Sequence, residues 1–315
     1  MKIACIGNAT FDMTVSGEKF IKEGVRNTYT NATFTAGGPA SNAASVIAKF
    51  GSYVDFYGQI GKDVNGEFVY KEMLNENINL KHLKVTDKLL TPFSFIIINT
   101  FNNSRTICPV RSNEDLVKPN IKEFSCEKDY DYILTDGKYV DNTIELIKNN
   151  PNAVTIIDAG RVNEGVIKLC HSVNYIICSA DFASSITGID VENEITNDEI
   201  CYRKLKEIFK DAKGICITVG DRGYICEKGG QVITNPAYNS GMKVIDTNAA
   251  GDIFHGAFTY ALANSYNYYE ALEFANVTAS LSTTKSGERN SIPKFYEVLK
   301  YIEIGDKSKQ RVRRK

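Results

Sequence analysis

Short apolar runs, each long enough for one buried strand, recur along this chain with helical stretches between them. Such runs are typical of parallel strands that helices cover on both faces of a sheet. The alternation therefore predicts an α/β sandwich. Six runs have this character, at residues 3–6, 54–59, 132–135, 154–158, 175–178 and 215–219.

Two early regions show a different pattern. Residues 26–35, and residues 92–100 followed by 105–110, are rich in Thr, Ile and Phe and alternate partly between polar and apolar positions. They predict a small antiparallel sheet beside the main core, with a turn at 102–104. In the last third, helix-spaced apolar residues over 252–263 and 268–284 predict two packed helices.

The charge balance bears on the partners of the chain. The 315 residues, 43% of them hydrophobic, predict one large domain. The 37 Lys and Arg residues nearly balance the 38 Asp and Glu residues. A chain with almost no net charge has no global field that recruits nucleic acid or an anionic membrane. We therefore expect a small-molecule ligand, with no nucleic-acid and no membrane partner.

The cysteines indicate the cellular compartment. They are scattered, mostly inside apolar runs, and lack the spacing of a metal site. The opening apolar run is too short for a signal peptide, and no run approaches the ~18 apolar residues of a membrane span. These features predict a cytoplasmic protein with buried free thiols at Cys5, Cys108, Cys126, Cys170, Cys178, Cys201, Cys216 and Cys226.

The segment 246–252, Asp-Thr-Asn-Ala-Ala-Gly-Asp, carries the most specific chemistry. It follows a strand-like stretch at 243–246 and opens a helix, so the small residues Ala249, Ala250 and Gly251 let backbone N–H groups converge on an anion. Asp252 could accept a hydroxyl proton beside that anion, as phosphoryl transfer requires. The alternative is that Asp252 caps the helix. No P-loop motif occurs.

Two further segments are candidates for ligand binding. Gly37-Gly38-Pro39 precedes a helix that carries Asn42, and the glycines would let a ligand approach the backbone closely. Asp12 follows the first strand, at the edge of an open α/β sheet where ligands bind. The alternatives are a tight turn at Gly37-Gly38 and a strand-end aspartate held by backbone N–H groups.

Together these segments resemble the ribokinase or PfkB family of carbohydrate kinases, over residues 2–302. The first family signature is matched by Gly37-Gly38-x-x-x-Asn42 with 58–63, and the second by 246–252, where many members have Gly in place of Ala249. The resemblance implies a three-layer α/β/α sandwich with a small β-sheet lid from about 12–36 and 91–110. It also implies a kinase domain at 1–303, a basic tail at 304–315 and a homodimer formed through the lid.

The resemblance also implies roles for individual residues. Asp252 would be the catalytic base, and the N–H groups of Ala249, Ala250, Gly251 and Asp252 would form the anion hole. The sugar would be held by Asp12, Gly37, Gly38 and Asn42. ATP would lie near Thr218, Gly220, Gly223 and Asn276.

Two cations follow from the same resemblance. Mg²⁺ is expected with ATP, but the Asn-x-x-Glu element that many members use to organise its water is replaced here by Ser-Ala-Asp-Phe at 179–182, where Asp181 is a substitute in a shifted register. A potassium ion beside the anion hole is expected from Asp246, Asn248, Ser282, Lys285, Gly287 and Ser291, mostly through backbone carbonyls. The alternative for the segment from Gly287 to Ser291 is a Gly-Ser turn before Pro293.

Three segments are more similar to the ketohexokinase and sulfofructose-kinase branches than to ribokinase itself, and they favour a ketohexose acceptor. They are Ser-x-x-Phe-Ala at 179–183, Asn-Asn-Ser-Arg-Thr-Ile at 102–107 and Asp-Gly-Lys at 136–138. Arg105 and Lys138 would then meet a phosphate, a sulfonate or polyol oxygens, or else be solvated cations. The other hypotheses are a kinase of the same fold that acts on a nucleoside, another pentose or an amino-sugar derivative, and a sugar-responsive binding protein without turnover. We expect His255 to pack or to donate one hydrogen bond, not to act as a second base.

Overall fold

The structure is a computed structural model that describes residues 1–29, 31–101, 104–110, 117, 119, 124 and 127–313, with side chains as far as residue 304. The strands in this part of the chain are β1 Ile3–Ile6, β2 Thr10–Gly17, β3 Asn31–Gly37, β4 Val54–Gly61, β5 Asn79–Thr86, β6 Phe93–Asn99, β7 Ser104–Val110, β8 Tyr132–Thr135, β9 Val154–Ala159, β10 Tyr175–Ser179, β11 Gly214–Thr218, β12 Tyr224–Lys228 and β13 Gln231–Asn235. The helices are α1 Pro39–Lys49, α2 Val64–Asn75, α3 Val140–Asn149, α4 Glu164–Cys170, α5 Ala180–Thr187, α6 Asp198–Ile208, α7 Ala250–Ala263, α8 Tyr268–Ser282 and α9 Phe295–Arg313.

A nine-stranded sheet forms the centre, in the order β13-β12-β11-β10-β9-β8-β1-β4-β5. The four residues of β1 are fully buried, and Ile3 pairs in parallel with Val54 on one side and Tyr132 on the other. All six predicted apolar runs become parallel strands of this sheet. The sequence did not predict β5, or the antiparallel pair β12 and β13 that ends the sheet at the other edge.

Helices cover both faces of the sheet and bury apolar clusters against it. One cluster contains Val46 of α1, Phe258 of α7 and Leu272 of α8. A second contains Phe182 of α5 and Leu205 of α6, and a third contains Ile6 of β1 and Leu146 of α3. The predicted three-layer α/β/α sandwich is therefore confirmed, as are the two packed helices of the last third.

The smaller sheet has the order β3-β2-β6-β7. The β2–β3 and β6–β7 pairs are antiparallel, but β2 and β6 run parallel, so the prediction of a purely antiparallel sheet was wrong. The reason is topological: β2 and β6 follow β1 and β5, whose carboxyl ends meet at one edge of the main sheet, so both strands leave it in the same direction.

Other local predictions also need correction. Residues 26–29 are not in a strand, because the ladder with β2 begins at Asn31, and residues 243–246 form a loop whose Ile245 and Asp246 N–H groups donate to the Thr283 carbonyl. The described cysteines are all free thiols; Cys108 on β7 is exposed and the others are buried. Cys126 lies outside the described residues, as do residues 102 and 103 of the predicted turn. The backbone of the predicted tail continues α9 to Arg313. Within the described residues, no helix is long and apolar enough to cross a membrane.

Candidate active site

A cavity of about 720 Å³ lies between the small sheet and the carboxyl ends of the central strands. Its wall includes residues of β6 and β7 on the lid side, and residues at the ends of β9, β10 and β11 on the sheet side. A cavity of this size accommodates a small-molecule ligand. Of the predicted site residues, it is lined by Asp12, Gly38, Asn42, Arg105, Lys138, Thr218, Asn248, Ala249, Gly251 and Asp252.

The close packing of α1 and α7 brings two predicted residues together. A Cβ at Gly256 of α7 would lie 2.6 Å from the Ala43 carbonyl oxygen of α1, so only glycine permits this approach. As a result, Asn42 of α1 reaches α7, and its Nδ2 donates a hydrogen bond to Asp252 Oδ2 at 2.8 Å. Two residues that are 210 positions apart in sequence thus share one site.

Asp252 lies in the first turn of α7. The residue before this helix is Ala249, and no side chain caps it, so the alternative role of Asp252 as a helix cap is not what the structure shows. Burial and the nearby Asp158 carboxylate raise the pKa of Asp252 to about 7, against the opposing effects of Asn42, His255 and Arg105. A carboxyl group with a pKa near neutrality is suited to general base catalysis.

The loop before α7 presents backbone N–H groups to the cavity. Ala249 adopts the left-handed conformation, with φ 58°, and Gly251 is exposed in the cavity wall. The first N–H groups of a helix have no partner within the helix and attract anions. This geometry fits the predicted anion hole.

The predicted acceptor residues form a buried polar cluster around Asn42. Asp12 lies within β2 and accepts a hydrogen bond from Thr10 Oγ1 at 3.0 Å, so its carboxyl is held by side chains and not by strand-end N–H groups. Burial raises the pKa of Asp12. Gly38 has φ 98°, and a Cβ there would lie 2.6 Å from the Asn8 carbonyl oxygen, so the Gly-Gly turn and the close approach are both real.

Sequence reasoning missed Glu288. It is 4% exposed, lines the cavity and accepts a hydrogen bond from Asn248 Nδ2 at 2.6 Å. Burial first, and then the Asp12 and Asp252 carboxylates, raise its pKa. The sequence signal was weak, because Glu288 lies in a Gly-Glu-Arg turn that resembles a charged surface loop.

Arg105 connects the lid to the anion-hole loop. It lies on β7, and its guanidinium donates to the carbonyl oxygen of Thr247 and to Thr247 Oγ1, the latter at 3.3 Å. Lys138 follows β8, and its N–H donates to Asp136 Oδ1 at 3.0 Å. Both cations line the cavity, so a negatively charged or oxygen-rich ligand could meet them.

The predicted ATP residues are only partly brought together. Thr218 at the end of β11 lines the cavity, whereas Gly220, Gly223 and Asn276 lie outside its wall. Gly223 has a packing role, because a Cβ there would lie 2.0 Å from the Asn235 carbonyl oxygen. Asn276 is half-buried, and its Nδ2 donates to the Pro236 carbonyl at 2.9 Å.

The predicted potassium residues lie on two facing segments. Asp246 holds these segments together, because its Oδ1 accepts from the Asn248 N–H at 2.9 Å and its Oδ2 from the Gly287 N–H at 3.1 Å. The side chain of Lys285 pairs with Glu297, so the backbone carbonyl of Lys285 is the group that could bind a potassium ion. The remaining predicted ligands are Ser282 and Ser291, which are both buried.

Two aspartates are candidates for holding magnesium-bound water, and they differ in their position relative to the cavity. Asp181 is exposed on α5 and does not line the cavity, whereas Asp158 at the end of β9 does. The described residues contain no cluster of three or more His, Cys, Asp or Glu that could hold a metal ion.

His255 is buried on α7 behind Asp252. Its Nδ1 lies 2.6 Å from the Gly251 carbonyl oxygen, its Nε2 lies 3.2 Å from that of Ile177, and Asp158 is 3.5 Å from Nε2. The imidazole thus faces acceptors at both ring nitrogens, more than the single hydrogen bond that we expected. It lines the cavity wall, but its nitrogens are engaged by these neighbours.

Known proteins match this chain over almost its whole length. The family model described as "pfkB family carbohydrate kinase" matches residues 1–294. The chain belongs to this family. A ribokinase of Haemophilus influenzae is 27% identical over 311 residues, which cover 96% of this chain and 98% of that protein.

Solved structures share the fold of this PfkB-family kinase. A ribokinase from Giardia lamblia superposes with a TM-score of 0.81 at 19% identity, covering 96% of this chain and 99% of that one. An Arabidopsis thaliana ribokinase, solved with ribose and ATP, superposes with a TM-score of 0.74 at 21% identity, covering 95% and 97%. The protein is therefore a carbohydrate kinase, an enzyme that phosphorylates a sugar, and family membership implies use of ATP.

Proposed function

We propose that this kinase transfers the γ-phosphoryl group of ATP to a sugar hydroxyl with Asp252 as the catalytic base. The observation that carries the proposal is the position of Asp252, which lies in the first turn of α7, beside the N–H groups of the anion-hole loop. Asp252 takes the hydroxyl proton, the sugar oxygen attacks the γ-phosphorus, and ADP leaves. The N–H groups of Ala249 to Asp252 stabilise the negative charge on the phosphoryl oxygens.

The acceptor lies against Asp12, Gly38 and Asn42, so that one hydroxyl reaches Asp252. A ketohexose is our first candidate, because Arg105 and Lys138 line the cavity and can hydrogen-bond to the additional oxygens of a six-carbon sugar. A pentose is the second candidate, favoured by the match to the ribokinase of Haemophilus influenzae. Closure of the lid over either sugar excludes water that would hydrolyse ATP.

Two cations complete the proposal. Mg²⁺ would neutralise phosphate charge when it accompanies ATP. Asp158, at the end of β9 in the cavity wall, would hold part of its water shell. A potassium ion would order the loop that Asp246 holds to the 282–291 segment. Replacing K⁺ by tetramethylammonium at constant ionic strength is expected to lower the rate, and an unchanged rate argues against the ion.

Coupled measurement of ADP release over ketoses, aldoses and nucleosides tests the function. Release that depends on one class of sugar identifies the acceptor, and Asp252→Asn is expected to slow it at least ~10²-fold. The alternative of a sugar-responsive binding protein predicts a sugar-dependent rise in melting temperature without ADP release. That outcome would contradict the proposal.

A further inference from the structure

Glu288 is joined to the proposed catalytic base by one amide group. Its Oε2 accepts a hydrogen bond from Asn42 Nδ2 at 3.4 Å, and the same Nδ2 donates to Asp252 Oδ2 at 2.8 Å. On the other side, Glu288 Oε1 accepts from Asn248 Nδ2 at 2.6 Å. Glu288 therefore lies at the acceptor end of the cavity, within the same polar network as the reacting hydroxyl.

A second carboxyl group is in contact with Glu288. Asp12, on lid strand β2, hydrogen-bonds to it, and both side chains are at least nine-tenths buried. Gly37 makes room for this contact, because a Cβ there would lie 1.7 Å from Asp12 Oδ2 and 3.0 Å from Glu288 Oε2. A larger residue at position 37 would push the two carboxyl groups apart.

The cation packed against this pair directs its hydrogen bonds elsewhere. Arg289 is 2% exposed, and its guanidinium donates to Asn42 Oδ1 at 3.2 Å, to Glu76 at 2.8 Å and to Ser41. Asp12 and Glu288 both line the cavity, and one ligand group with several protons, such as an ammonium group, can hydrogen-bond to both carboxyl groups at once. The acceptor end of the cavity is thus complementary to a positively charged ligand group.

We propose that Glu288 determines acceptor specificity by selecting sugars that carry a protonated amino group. The inference rests on the proposed function, because the amine and the phosphorylated hydroxyl belong to one acceptor. The ammonium group replaces the proton that Glu288 and Asp12 share in their hydrogen bond, and that proton passes to water. The ammonium group then forms charge-assisted hydrogen bonds with both carboxylates. The hydroxyl loses its proton to Asp252 and gains the γ-phosphoryl group, and ADP is released.

Matched pairs of acceptors test this specificity. The pairs are fructosamine with D-fructose and glucosamine with D-glucose, and the quantity is the ratio of kcat/KM within each pair, from ADP release and identification of the phosphorylated product. The wild-type enzyme is expected to prefer the amino member. Glu288→Gln is expected to lower the ratio roughly 10- to 100-fold, the range of a hydrogen bond to a charged group.

Two further variants separate specificity from folding. Glu72→Gln removes a carboxylate that accepts from the Ala36 N–H near Arg289 but does not line the cavity, so the ratio should not change. Glu288→Asp keeps the acidic group, so this variant should keep the preference for the amino sugar. Thermal melting shows whether each variant folds, and Glu288→Asp still tests the role if Glu288→Gln does not fold.

The outcomes distinguish this inference from the proposed function. A wild-type enzyme without amino preference, an unchanged ratio in Glu288→Gln, or a preference for the neutral sugar in Glu288→Asp overturns the specificity role. In each case the kinase function stands if ADP release needs a sugar and is lost in Asp252→Asn. If no acceptor of any class supports ADP release, the proposed function itself fails.

Discussion

Asp252 acts in the proposed reaction only when its carboxyl group is deprotonated. Burial and the Asp158 carboxylate raise its pKa to about 7, so below that pH an increasing fraction holds a proton and cannot accept another. We therefore expect kcat/KM to be level above pH 8 and to fall about tenfold for each pH unit well below 7. A pH–rate profile on saturating ATP checks this, and a level profile down to pH 5 would contradict it.

Ala249 is the main departure from the family signature, because many members have Gly at this position. Its φ of 58° places an L-residue in the left-handed region, which costs about 1–2 kcal/mol and which glycine adopts freely. Allowing for the greater freedom of glycine in the unfolded chain, Ala249→Gly should raise the free energy of unfolding by up to about 1 kcal/mol.

Urea unfolding measures this change, and Ala250→Gly is the matched control. Ala250 begins α7, so glycine there should lower the free energy of unfolding by about 0.5–1 kcal/mol. Equal destabilisation by both substitutions would show that the backbone at Ala249 is not strained.

At the scale of elements, Arg105 is the connection between lid strand β7 and the loop that precedes α7. Arg105→Ala removes its hydrogen bonds to Thr247 and the positive charge that lowers the pKa of Asp252. We expect kcat/KM to fall roughly 10-fold or more and the acidic limb of the pH profile to move to higher pH. Arg203→Ala on α6, where the arginine pairs with Glu199, is the control, and equal losses in both variants would contradict the role of the lid contact.

Elements with strong local patterns could be predicted from sequence, and elements defined by distant partners could not. The run at 3–6 is fully buried and becomes the interior strand β1, whereas β12 and β13 have mixed patterns of buried and exposed residues, and their place in the sheet depends on pairing with β11. Asp252 and Asn42 were found through their motifs. Glu288 was missed because its burial depends on Asp12 and Gly37, which are far away in sequence.

The exposed lid is the feature that bears on assembly of the whole molecule. Phe34, Phe93, Ile107 and Val110 are 47%, 37%, 45% and 44% exposed on the small sheet, and such apolar side chains are typical of interaction surfaces. We propose a homodimer through the lid, so light scattering after size exclusion should give twice the chain mass of 35.0 kDa.

A pair of variants tests the location of this interface. Phe34→Lys places a charge on the lid and should give a monomer, while Val64→Lys, on α2 outside the lid, should remain dimeric. A monomeric wild-type enzyme at micromolar concentration, or a dimer that Phe34→Lys leaves intact, would contradict the proposal.

The central claim for the whole enzyme is that phosphoryl transfer to the sugar depends on the carboxylate of Asp252. The direct measurement is kcat of Asp252→Asn on the best acceptor, with ATP affinity and melting temperature measured in parallel to show an intact fold. We predict a loss of at least ~10²-fold, the lower range for a positioned general base, with ATP affinity little changed. Near wild-type turnover in this variant would show that another group accepts the proton.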